Sequence, residues 1–106
     1  MIIRIQDLGN LSDEEHSKVK FILLDNGDLL FGKCKWHKDL QDASSYKTES
    51  VQVVGAGTVP LDVDGFMDDE KWGGWKSTGY SVITPDDIRK QIVEAFKVYK
   101  VETPNL

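Results

Sequence analysis

The clearest pattern along the chain is Lys18–Leu24, KVKFILL. In an extended backbone Val19, Phe21 and Leu23 share one face, and Lys18, Lys20, Ile22 and Leu24 share the other. Apolar residues fill both faces toward its end, which predicts a central strand. Asp25-Asn26-Gly27-Asp28 follows. Asn-Gly between two apolar runs predicts a hairpin with a type I′ turn, because both central residues of that turn need positive φ. Leu29–Lys35 is then the returning strand. Over Trp36–Tyr46 the period changes: Trp36, Leu40 and Ala43 recur at i, i+4 and i+7, one face of a helix, with His37 and Gln41 beside it.

The remaining segments extend this pattern. Met1–Ile5 predicts a short edge strand, and Ser12 with Glu15 has the spacing of a capping box, which predicts one or two helical turns. Val51–Val54 reads as a strand that runs into a turn at Gly55-Ala56-Gly57. Thr58–Val63 is the next strand, limited by Pro60 to an edge or irregular pairing. Asp62–Gly74 predicts a long loop and Trp75–Ile83 another strand. Thr84-Pro85-Asp86-Asp87 is a helix start: a capping hydroxyl, a proline suited to the first helical position, and two carboxylates against the positive end of the dipole. Ile88, Ile92, Ala95 and Phe96 give that helix a core-facing stripe. Val98–Glu102 alternates as a last strand. The succession predicts one α+β domain over residues 1–106, with a mixed, mostly antiparallel sheet packed with two helices.

Composition narrows the functional classes. A chain of 106 residues with 40% hydrophobic and 29% charged residues has the size and balance of a single globular domain. Cys34 is the sole cysteine, which excludes an intramolecular disulfide and a multi-cysteine metal site. The net charge of −5 disfavours nucleic acid and anionic membrane surfaces as partners. The longest aliphatic and aromatic run, Phe21–Leu24, is too short for a bilayer span or a signal sequence, so a soluble, cytoplasmic protein is expected. No cofactor motif is present. Pro60 stands where a dinucleotide fingerprint needs its third glycine, and no Gly-Lys-Ser/Thr completes a phosphate loop.

Four features bear on chemistry. Gly55 and Gly57 leave backbone amides uncovered by side chains, which suits either a plain strand turn or an anion-facing one. Asp62, Asp64, Asp68, Asp69 and Glu70 form an acidic loop, solvated or holding a hard cation, although Phe66 breaks the calcium-loop pattern. Trp72 and Trp75 flank two glycines as anchors for the core or for a protein partner. His37 lies near Lys33, Lys35 and Lys38, cations that favour the neutral, nucleophilic imidazole. The same residue also fits a histidine exposed at a helix start, and His16 fits a solvated surface position. No serine–histidine–carboxylate order and no zinc spacing is present.

Several short motifs resemble the Janus/ocnus family, the small phosphohistidine phosphatases. They are Val19-Lys20-Phe21-Ile22-Leu23, Gly32-Lys33-Cys34-Lys35-Trp36, Val53-Val54-Gly55-Ala56-Gly57 and Gly79-Tyr80-Ser81, spread over Val19–Glu102. The resemblance implies a phosphate site with Lys20 and Ser81 beside the glycine-rich strand end. The chain departs from the family pattern at the nucleophile: Leu40 stands four residues after Trp36, where the family has histidine, and His37 is one residue after it. Thr58-Val59 replaces the arginine expected after the glycines. Two expectations follow. The first is a non-catalytic interaction or ligand-binding module using residues 62–75, with Trp72 and Trp75 as anchors. The alternative is a phosphate-binding or phosphohistidine phosphatase-like protein with Lys20, Gly55, Gly57 and Ser81 around the phosphate and His37 as nucleophile. A third possibility is a binder of a basic or metal-bearing ligand through the acidic loop.

Overall fold

The computed structural model describes residues 2–11, 18–46, 51–68 and 86–101. Its elements in chain order are β1 (Arg4–Asn10), β2 (Lys18–Leu24), β3 (Asp28–Lys33), α1 (Lys38–Ala43), β4 (Val53–Pro60) and α2 (Asp86–Lys97). The strands form one mixed sheet in the order β1-β3-β2-β4. β2 runs antiparallel to both of its neighbours, and β1 runs parallel to β3. This is the α+β arrangement that the sequence predicts.

The alternation in β2 divides the core into two. Val19, Phe21 and Leu23 join Leu29, Phe31 and Val59 beneath Ile92 and Phe96 of α2. Ile22 and Leu24 join Leu30, Cys34 and Ala56 beneath Leu40 of α1. The sheet is therefore covered on both faces, which is why β2 and β3 are apolar on both sides. Phe96 anchors α2, its ring 5.9 Å from Phe21 and 5.5 Å from Phe31, the latter edge-on. Removing one such ring from water contributes about 1.5–3 kcal/mol.

Some predicted details differ. The hairpin turn is centred on Asp25-Asn26, with the Gly27 amide donating to the Leu24 carbonyl at 3.0 Å. Only Gly27 takes positive φ there, at 91°. A type I turn followed by a left-handed glycine makes a three-residue loop with a bulge, so the glycine serves one residue later than a type I′ turn requires. Gly55-Ala56-Gly57 is not a turn: β4 runs unbroken from Val53 to Pro60, with Gly55 opposite Leu23 and Gly57 opposite Phe21. The irregularity lies one residue earlier, where the register shifts between Leu23 and Leu24 and Val54 is the extra residue. Of the predicted strand Thr58–Val63, Thr58–Pro60 is the end of this same strand, Leu61 makes an isolated bridge and Val63 lies in the turn that follows.

β1 begins at Arg4 rather than Met1 and reaches Asn10. Its register slips between Asp7 and Asn10, where Gly9 takes φ 75°. The Gly9 carbonyl then crosses so close to β3 that a Cβ on Gly32 would lie 2.8 Å from it. Val98–Glu102 forms no strand over its described residues. Val98 is exposed, Tyr99 packs edge-on against Phe31 at 4.9 Å, and Val101 joins the α2-side core. Its alternation covers the core instead of pairing in a ladder. The helical turns at Ser12, the strand Trp75–Ile83 and the cap at Thr84-Pro85 lie outside the described residues. Among the described residues no helix is long and apolar enough to cross a membrane.

Candidate functional site

β3 ends at Lys33, and the chain folds directly into α1 through a tight junction. The Cys34 thiol donates to the Trp36 carbonyl at 3.3 Å, and the Trp36 amide donates to Asp39 Oδ2 at 3.1 Å. The Asp39 amide returns to the Trp36 carbonyl at 3.0 Å, and the Leu40 amide to His37 at 3.1 Å. These bonds start the helix two residues late, at Lys38. They also rotate its buried face from the predicted Trp36, Leu40 and Ala43 to His37 and Leu40. Trp36 and Ala43 are exposed, and His37 is 2% exposed.

His37 Nε2 lies 2.9 Å from the carbonyl oxygen of Gly57. A carbonyl only accepts, so this bond requires the proton on Nε2. The ring therefore ties the start of α1 to β4, and the nitrogen engaged there has no lone pair for attack. The expectation of an exposed helix-start histidine is corrected by its burial. Lys20, half-buried on the α1 face, is paired with Thr58, next to Gly57. Lys20 is thus one ladder position from Gly57, whose carbonyl His37 holds. Gly55 lies two residues further along β4, about 7 Å away at the rise of an extended chain. Ser81, Trp72 and Trp75 lie outside the described residues.

Cys34 belongs to the same corner. Burial pushes its thiol up from 9.0 to about 11, with the Lys20 charge pulling down and Asp39 pushing up. A thiol protonated at neutral pH is a poor nucleophile and a poor metal ligand. Among the described residues, no three histidine, cysteine, aspartate or glutamate side chains are grouped to hold a metal ion.

The acidic stretch is more ordered over its described part than a long loop. Leu61 bridges Met67, and the Asp68 amide donates to the Pro60 carbonyl at 2.9 Å, so residues 62–66 form a closed turn. Asp62 Oδ1 accepts from the amides of Asp64 at 2.8 Å and Phe66 at 3.0 Å. Gly65, at φ 90°, is fastened from outside by the Val101 amide, which donates to its carbonyl at 2.8 Å. Asp62 is thus a turn-stabilising carboxylate. Val63 at the tip is 100% exposed.

One polar centre escapes sequence reasoning. Asp28 is 1% exposed at the start of β3. Its carboxylate accepts from Arg4 Nε at 2.7 Å, from Gln6 Nε2 at 2.8 Å and from the Tyr46 hydroxyl. Three donors from two separate segments converge on a buried anion and compensate its desolvation. The signal available was Arg4 and Gln6 on one face of an extended stretch, polar where Ile3 and Ile5 opposite are apolar. No protein-family model gives a significant match to the chain, and neither does any curated protein or solved structure.

Proposed function

We propose that this protein is a non-catalytic interaction module that presents the turn at residues 62–68 to a protein partner, with Trp72 and Trp75 of the adjoining stretch as anchors. The observation that carries this is the fastened turn holding Val63 fully exposed beside Asp64. An apolar side chain on a turn fixed by six internal and external hydrogen bonds is already ordered, so binding loses little conformational entropy there. The carboxylate alongside favours a partner segment with basic residues around an apolar one. The engagement of His37 Nε2 by Gly57 leaves that nitrogen as a structural donor and not as an attacking atom. The test is capture of partners from lysate by the wild-type chain, Val63→Asp and Trp72→Ala. Both variants are expected to lose the captured partner with little change in melting temperature. Unchanged capture by both would rule out this surface.

A second reading, a phosphate site, is favoured by one observation: Lys20 is paired beside Gly57, the residue on which His37 docks. Under it, millimolar phosphate moves the amides of Gly55, Gly57 and Ser81. Release of phosphate from a phosphohistidine peptide that His37→Ala abolishes would favour this reading over the interaction module.

A further inference from the structure

At the opposite end of β2 from the 62–66 turn, Ile2, Arg4, Asp25, Asn26 and Gly27 line an open pocket of about 440 Å³. Arg4 enters it as a held group. Its Nε is bonded to the buried Asp28, whose other oxygen takes Gln6 and Tyr46. Arg4 therefore donates to Asp28 through Nε, and no acceptor among the described residues takes its two terminal nitrogens. A guanidinium fixed at one edge keeps its other edge as a planar pair of donors, the geometry that matches a carboxylate.

The local charge decides which carboxylate. Among the described residues, Arg4 and Asp28 cancel as an ion pair, and Asp25, exposed on the pocket wall, leaves an excess negative charge. A simple anion is repelled by that balance, whereas a ligand carrying both signs satisfies it. Ile2, 84% exposed, supplies an apolar wall beside the two charges. The volume falls in the range of small-molecule sites.

We propose that this pocket binds a free α-amino acid with an apolar side chain. Its carboxylate is taken by the terminal nitrogens of Arg4, its ammonium by Asp25, and its side chain by Ile2. The site is separate from the turn proposed for partner binding, and either can fail without the other.

The test is a titration of the full chain with L-leucine, following backbone amide shifts. Gly27 and Arg4 are expected to move saturably in the millimolar range. Leucinamide, which lacks the carboxylate, and N-acetyl-leucine, which lacks the ammonium, are each expected to bind about tenfold or more weakly, the loss of one charged contact. Arg4→Lys keeps the charge beside Asp28 without the planar donor pair, and Asp25→Asn keeps the turn. Each is expected to weaken leucine severalfold while the amides of Phe21 and Val59 stay in place, which shows the core intact. No saturable shift at tens of millimolar, equal binding of leucine and its two blocked analogues, or undiminished binding by both variants would each overturn the site.

Discussion

His37 shows how far one side chain can change roles between sequence and fold. A neutral imidazole serves equally as a nucleophile or as a buried donor. Its Nε2 bond to Gly57 makes it the second. Replacing it with leucine removes the donor to that carbonyl, and urea unfolding is expected to show a loss of about 1–3 kcal/mol. Asp28→Ala strips the shared acceptor from Arg4, Gln6 and Tyr46, and a loss of about 1–3 kcal/mol is expected in the same measurement, because the part-buried Gln6 and Tyr46 donors lose their partner while the Arg4 side chain, 65% exposed, is solvated by water. Cys34 sets a pH dependence. Its folded-state thiol is pushed up to about 11 from 9.0, so the unfolded chain releases the proton first. The contribution is fully present below about pH 9 and is lost as the pH rises through about 11. Iodoacetamide at pH 8 is expected to label Cys34 slowly in the folded protein and quickly in urea. Rapid labelling of the native chain would contradict its burial.

At the scale of elements, two glycines with positive φ separate backbone strain from steric strain. Gly9, at φ 75°, has open space where a Cβ would stand. Gly65, at φ 90°, would place a Cβ 2.5 Å from the Val101 carbonyl oxygen. Gly9→Ala is expected to cost about 1–2 kcal/mol from backbone conformation alone. Gly65→Ala is expected to cost more and to release the contact between the 62–66 turn and Val101, read as faster amide exchange at Val101. Elements with strong local periodicity were legible from sequence: β2, β3 and the stripe of α2, where Ile92 and Phe96 are buried as predicted. Positions decided by distant partners were not. Gly55 and Gly57 resemble a turn locally, yet pairing with Phe21 and Leu23 keeps them in a strand. Asp28 resembles a turn residue, yet Arg4, Gln6 and Tyr46 draw it inside. The helical face at α1 was misplaced because the junction bonds of Cys34, Trp36 and Asp39 start the helix late.

Across the whole molecule, the sheet has two ends with different character. One carries the fastened acidic turn and the junction where His37 holds the Gly57 carbonyl and the Lys20 charge acts on Cys34. The other carries the hairpin turn and the pocket held by Arg4 and Asp28. Central strand β2 joins them and makes ladders with β3 and β4 along its length. β1 is broken by the bulge at Gly9, where Asp7 Oδ1 accepts the Gly9 amide at 2.7 Å and Asp7 Oδ2 the Tyr99 hydroxyl at 3.3 Å. A bulge and a charged side chain are devices that blunt strand pairing between molecules. Of the candidate site, the placement of Lys20 on the face of β2 opposite Val19, Phe21 and Leu23 was legible from the alternation of that strand. The direction in which the imidazole spends its proton was not, because it depends on a carbonyl twenty residues away in sequence.

That proton is also the most direct point of decision between an interaction module and a phosphate enzyme. A long-range ¹H–¹⁵N correlation spectrum of the imidazole rings, recorded with and without millimolar phosphate, reads it. For His37 the expected result is a ring protonated at Nε2, with a slowly exchanging N–H and no change when phosphate is added. An unprotonated Nε2, or a ring signal that moves with phosphate together with the Lys20 side chain, would contradict the structural role and favour the phosphate site.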